Sequence, residues 1–285
     1  MWPWLFVLPL LSGLGVFYLW SIVQTFYFSF TEWGAFGGST WTGLQNYTRL
    51  FADPDLYRAI GNTLIYTAIV LLGVPVAIFI ASLLNTPRLR FASVYRVLFF
   101  MPYIAMPAAI AMVWRMIFNG DFGVLNYVLA RVGIDGPYWT STPGFAIVAV
   151  AIVGLWSFLG FAIIVLGAGL KSIPPEMSEA AELDGASPWR RLISITVPLL
   201  TPSIFFVVIV SIIASFQVFD LLYAILGSTN VALPRSMTLV YFFYQEGFVN
   251  NQKGYASAIA MAIFAIIGLV TLAQFRLQKR WVNSD

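Results

Sequence analysis

Charge is absent from six long stretches of this sequence, at residues 1–31, 59–87, 97–114, 136–170, 192–219 and 254–275. A bilayer core about 30 Å thick takes about 20 apolar residues of helix to cross, because only internal hydrogen bonds can satisfy the backbone there. The runs predict membrane helices near 4–29, 61–84, 97–118, 144–170, 198–226 and 255–275. They are apolar on all sides, whereas strands of a membrane barrel alternate in segments of about ten. The expected fold is therefore all-α, a polytopic chain of six spans. Composition agrees: 60% of the 285 residues are hydrophobic, 9% are charged and the mean hydropathy is +0.86. A soluble domain carries about 25% charged residues.

Cysteine and histidine are absent. That removes disulfides, thiol nucleophiles, imidazole bases and most zinc or haem ligation. The net charge of +3 is explained by a few loop cations and implies no nucleic-acid partner.

Lys and Arg counted on alternate sides of the spans set the orientation. One side holds Arg88, Arg90, Arg96, Lys171, Arg190, Arg191, Arg276, Lys279 and Arg280; the other holds Arg49, Arg58, Arg131, Arg235 and Lys253. The richer side is the cytoplasm, with both termini inside, in a cell (inner or plasma) membrane. Arg115, near the outer end of the third span, can snorkel toward the headgroups. The first span is too long for a signal-peptide core, so it is read as retained, which leaves room for a basic tail upstream of Met1. Pro75, Pro102, Pro107 and Pro202 fall in or at the ends of helices. Ala258, Ala262 and Ala265 form a small-residue stripe on the last helix, as ordinary packing inside a bundle does. No internal repeat is evident, and residues 1–285 read as one membrane domain of about six helices.

Most of the information lies at 172–197, a cytoplasmic segment between the fourth and fifth spans. Pro174 and Pro175 stop one helix or start the next. Met177, Ala180, Ala181 and Leu183 then fall on one face, with Glu176, Glu179 and Glu182 on others. Asp184-Gly185 breaks this helix, and Gly185 suits a left-handed cap. Ser187-Pro188 is an N-cap and first-turn pair that starts another, through Trp189, Arg190 and Arg191. A plain connector needs no such apolar face, so a docking role is the more economical account.

These residues resemble a family. Glu179-Ala180-Ala181, then Asp184-Gly185-Ala186, then Pro198 and Pro202 are similar in type and spacing to the EAA motif of ABC-importer permeases of the type I (MetI-like) fold. The resemblance covers nearly the whole chain. Gly43-Leu44-Gln45-Asn46-Tyr47, Asn62-Thr63, Met101-Pro102, Trp114 and Phe219-Asp220 resemble the carbohydrate branch. The first of these and the basic C-terminus resemble the maltose-type F subunit more than its G partner. The chain departs from the family at Arg190 and Leu192, where Gln and Phe are common. It departs again at Leu226-Gly227-Ser228-Thr229-Asn230, where a glycine-rich stretch is usual.

The resemblance implies a transport subunit, not an enzyme, that pairs with a second related permease and two ABC ATPase subunits and receives solute from an extracytoplasmic binding protein. ATP and magnesium would be held by the ATPase partners. Gly167-Ala168-Gly169-Leu170-Lys171-Ser172 is no phosphate loop, because Leu170 interrupts it and it ends an apolar span instead of following a strand. On this reading Glu179 is a polar anchor on the ATPase, Ala180 and Ala181 are the close-contact face, and Asp184-Gly185-Ala186 is the turn, with Leu183 and Arg190 completing the docking set.

For the solute path, Ser211 and Ser215 share one face of the fifth span and Gln217 and Asp220 another, while Trp156 and Tyr223 can stack on a sugar ring. For the serines the reading as interhelical hydrogen-bonding groups, worth about 0.6 kcal/mol each, is the favoured one. Asp220 serves equally as a structural bond to its loop. An ion-gradient-driven secondary transporter is the alternative reading, but it calls for central ionisable groups or broken helices. An intramembrane protease lacks the second carboxylate or the histidines it would need.

Overall fold

The structure, a computed structural model, describes residues 2–34, 37–86 and 89–281. Arg88, counted above among the cytoplasmic cations, lies outside them. In chain order, α1 (Trp2–Leu14) runs through one π turn into α2 (Trp20–Phe28). A small hairpin follows, β1 (Thr31–Trp33) with β2 (Ser39–Trp41). Next come α3 (Gln45–Ala52), α4 (Pro54–Leu71), α5 (Gly73–Leu84), α6 (Ala92–Ile104), α7 (Pro107–Ile117), α8 (Val124–Arg131) and α9 (Phe145–Lys171). The remainder comprises α10 (Pro175–Leu183), α11 (Pro188–Arg191), α12 (Val197–Leu199), α13 (Thr201–Phe216), α14 (Asp220–Leu226), α15 (Leu233–Ser236), α16 (Leu239–Tyr244) and α17 (Lys253–Trp281).

Among the described residues, four helical stretches are long and apolar enough to cross a membrane, Phe6–Phe28, Pro54–Leu84, Phe145–Lys171 and Lys253–Gln278; counting each of two bent pairs as one span gives up to six. The bends correct the expectation of continuous helices at 97–118 and 198–226. The axes of α6 and α7 meet at 97°. Pro107 is the cause, because its ring disfavours helical backbone in the residue before it, and Met106 is extended (φ −61°, ψ 131°). The pair Pro188–Leu199 and Thr201–Phe216 bends by 72° at Leu200. Pro202 has no N–H to give the carbonyl of Pro198, and the Thr201 hydroxyl donates to that carbonyl instead. The expected helix 198–226 breaks once more at 217–219, where Phe219 leaves helical geometry (φ −138°, ψ −59°). The hairpin is the one departure from all-α structure among the described residues.

The chain divides into two compact units, residues 1–60 with 238–268 and residues 61–237 with 269–285. In the first unit, Asn46 donates to the carbonyls of Ser29 (3.0 Å) and Thr31 (2.9 Å), and the Tyr47 and Ser29 hydroxyls are 2.7 Å apart. The Asn-Tyr pair of the GLQNY stretch thus fixes where α2 hands over to the hairpin. Arg49 lies over the Tyr255 ring, 3.9 Å from its centroid, and Tyr255 donates to Asp53 at 2.7 Å. Glu246 stands 3.9 Å from Arg49 and accepts from Asn250 at 2.9 Å. Burial raises the Glu246 carboxyl above the usual carboxylate range and Asp53 and Asp55 push the same way, opposed by the Asn250 bond and the Arg49 charge. On α17, Ala258 of the predicted stripe is buried, Ala262 half-buried and Ala265 exposed.

The second unit is built on α9, against which α5, α6 and α13 pack. Val74, Ala77, Ala81 and Leu84 line one face of α5 and form a core with Ala162, Ile163 and Leu166 of α9 and with Leu200 and Val207. Gly160 lets α6 cross α9 closely, since a Cβ there would sit 2.2 Å from the Phe99 carbonyl oxygen and 2.8 Å from the Phe100 Cα. Asn62 donates to the carbonyls of Arg235 and Met237, both at 2.9 Å, tying α4 to the end of α15.

Candidate functional site: an exposed helix pair and a broken helix

The segment after α9 folds as expected into helix, turn, helix. Pro175 opens α10 at a position whose N–H would have no partner. The helix ends in a complete Schellman motif: Gly185 adopts φ +75°, its N–H donates to Glu182 O at 3.0 Å, and the Ala186 N–H donates to Ala181 O at 2.9 Å. Ser187 caps α11 by accepting from the Arg190 N–H at 3.3 Å. The two arms are joined by Arg191, which reaches Glu182 at 2.7 Å. Sequence reasoning passed over this pair, since charges nine residues apart meet only once the turn geometry is known.

The spacing of the motif thereby acquires a local cause. Ala181 and Ala186 are the two ends of the long Schellman bond, and Ala181 is buried, 7% exposed. This corrects the assignment of Ala181 to an open contact face, since its side chain is already covered within the chain. Glu179, Ala180, Asp184 and Arg190 are exposed, and Leu183, grouped with Ala181 in the sequence, projects outward at 89% exposure. Leu183 thus stands open beside a turn whose geometry is fixed. The rejected phosphate-loop look-alike is packing as well, for a Cβ on Gly169 would fall 2.2 Å from Ser203 Oγ.

The solute-path residues separate into two groups. Ser211 and Ser215 are buried on α13 (0% and 2% exposed), with no hydrogen-bond partner for either hydroxyl among the described residues. The interhelical hydrogen bonds expected of them are not formed among the described residues, and both lie on the packed face of α13. Gln217 and Asp220 are exposed and flank the break between α13 and α14. Asp220 opens α14, where a carboxylate faces the positive end of the helix dipole. Tyr223 stacks on Phe219 (centroids 5.6 Å apart, planes at 20°), and Trp156 meets Trp114 edge-on at 5.5 Å. Both Trp156 and Tyr223 keep over a third of their surface open. A broken membrane helix with a carboxylate, an amide and aromatic faces at the break can bind a polar solute.

Fold and site together define a multi-pass helical membrane permease that carries an exposed helix hairpin. The chain belongs to the family of the binding-protein-dependent transport system inner membrane component, which matches over residues 73–283. It is 36% identical to a probable ABC transporter permease protein, YesP of Bacillus subtilis (strain 168), over 98% of this chain and 91% of that relative. It is 31% identical to the arabinooligosaccharides transport system permease protein AraP of the same organism, over 96% of this chain and 88% of that one. Its fold is that of a chain in the crystal structure of a bacterial alginate ABC transporter in complex with an alginate pentasaccharide-bound periplasmic protein (TM-score 0.84, 20% identity, covering 97% of this chain and 93% of that chain). Membership in a binding-protein-dependent family sets aside the ion-gradient-driven reading.

Proposed function

We propose that this chain is one of two related permease subunits of an ATP-driven importer, and that it moves a carbohydrate-type solute from an extracytoplasmic binding protein to the cytoplasm. Residues 1–285 act as one permease domain with both termini in the cytoplasm, and 172–197 is its coupling segment. Two ABC ATPase subunits bind and hydrolyse ATP with magnesium and move this segment between two positions, biasing the helices between inward-open and outward-open states. Leu183 enters the ATPase cleft, Glu179 and Arg190 make polar contacts beside it, Ala180 permits close approach, and Asp184-Gly185-Ala186 holds the angle.

The solute class is supported by relatives named for arabinooligosaccharides and alginate. It is supported also by the chemistry at the helix break, where Tyr223 offers a flat face and Gln217 and Asp220 offer partners for hydroxyls, and by Trp156 on α9, a second open aromatic face. Ser211 and Ser215 form the packed wall behind them.

The observation that carries the proposal is the hairpin, rigid in its turn yet exposed at Leu183. Gly185→Asp should abolish binding-protein-dependent uptake and co-purification of the ATPase, while the permease remains inserted at the wild-type level. Leu183→Asp should do the same without disturbing the turn. Unimpaired uptake in both variants would refute the docking role.

A further inference from the structure

Beside the hairpin lies a groove of about 660 Å³ that the transport reading does not use. Its floor is the last turn of α5 with Asn85 and Thr86, together with the end of α9 at Leu170 and Lys171; its walls are Pro174, Pro175 and Ser178 on one side and Trp189 and Leu192 on the other. The size is within the range of small-molecule sites, about 300–1,000 Å³.

Three properties define what fits. First, two membrane-length apolar spans, Pro54–Leu84 and Phe145–Lys171, end at the groove, so it lies where the apolar layer gives way to water. Second, apolar side chains on its floor and wall are open: Phe79 is 48% exposed, Leu83 51% and Trp189 62%. Third, its charged lining among the described residues is cationic, Lys171 and Arg191, the latter already paired with Glu182 at 2.7 Å, which leaves Lys171 as the open charge. Ser82, Asn85 and Thr196 add groups able to hydrogen-bond esters or a phosphate.

We propose that the groove is a binding site for an anionic phospholipid of the leaflet on the hairpin side. The phosphodiester meets Lys171, the glycerol esters meet the hydroxyl and amide groups, and the first acyl carbons lie on Phe79 and Leu83. The open apolar floor selects a lipid over a free phosphate, which would leave it bare. Lys171, which enters no ion pair among the described residues, favours a headgroup with a net negative charge over a zwitterionic one. Bound there, the lipid spans hairpin and bundle, which both contribute walls.

The test uses the complete transporter in nanodiscs of phosphatidylcholine with a trace of phosphatidylglycerol that carries a photo-reactive group on the first acyl carbons. Labelled peptides are mapped by mass spectrometry. Expected are adducts at 79–86, 170–178 or 188–196 that unlabelled phosphatidylglycerol competes away and phosphatidylcholine or free glycerol phosphate does not. Lys171→Ala should weaken this labelling about fivefold, the effect of one cation at an anionic surface. Leu83→Trp, which fills the floor, should remove it with uptake intact. Equal labelling by a phosphatidylcholine probe, competition by glycerol phosphate, or no adducts at these peptides because protein covers the groove would each overturn the proposal. None of these outcomes reads transport, so the permease reading stands or falls separately.

Discussion

The amide of Ala186 donates to the carbonyl of Ala181 across 2.9 Å, closing a turn whose remaining bond runs from Gly185 to Glu182. This bond makes the alanine–glycine–alanine spacing a mechanical feature, because it fixes the direction in which α11 leaves α10.

The turn depends on Gly185 at φ +75°, which costs a side-chain-bearing residue roughly 1–2 kcal/mol. No atom lies within 4 Å of a Cβ built there, so the cost is backbone strain alone. Gly185→Ala should loosen the end of α10 without unfolding the protein. Hydrogen exchange of amides 180–187 should rise by about tenfold, the equivalent of roughly 1.4 kcal/mol, with exchange in α9 unchanged.

At Gly160 the obstacle is steric. Gly160→Val would push α6 away from α9 and should lower stability by about 1–3 kcal/mol, as overpacking does. A lower thermal midpoint in detergent checks this; an unchanged one would mean the two helices are not held at this crossing.

Ser211 and Ser215 each bury a hydroxyl that lacks a partner. Leaving such a group unsatisfied costs about 1–3 kcal/mol. Ser211→Ala and Ser215→Ala should therefore leave stability unchanged or raise it by about 1 kcal/mol, with uptake retained. A large loss of uptake at wild-type stability would return these hydroxyls to the solute path.

Glu246 gives a pH dependence. Its carboxyl is raised in the folded state, mainly by burial, so the folded chain holds the proton to higher pH than the unfolded chain does. Stability from this group therefore increases as pH falls through the folded value and levels off below the ordinary glutamate value of about 4.3. Glu246→Gln should flatten this part of the midpoint-versus-pH curve measured by thermal unfolding between neutral and acid pH. A curve identical to wild type would exclude Glu246 as the source.

Sequence alone determined where this chain can enter a membrane, because the cost of burying charge leaves its mark as runs without Asp, Glu, Lys or Arg. It also determined the hairpin, since Pro175, Gly185, Ser187 and Pro188 act through backbone geometry within a few residues. Tertiary structure decided the rest. Nothing local distinguishes Ala181, which is buried, from Ala180 beside it, which is exposed, or Ser211, packed on a helix face, from Gln217 at a break. The same proline chemistry that is tolerated within α6 at Pro102 turns the chain by 97° at Pro107. Whether a freed carbonyl is re-satisfied, and which face a helix buries, depends on neighbours distant in sequence that only the packed fold supplies.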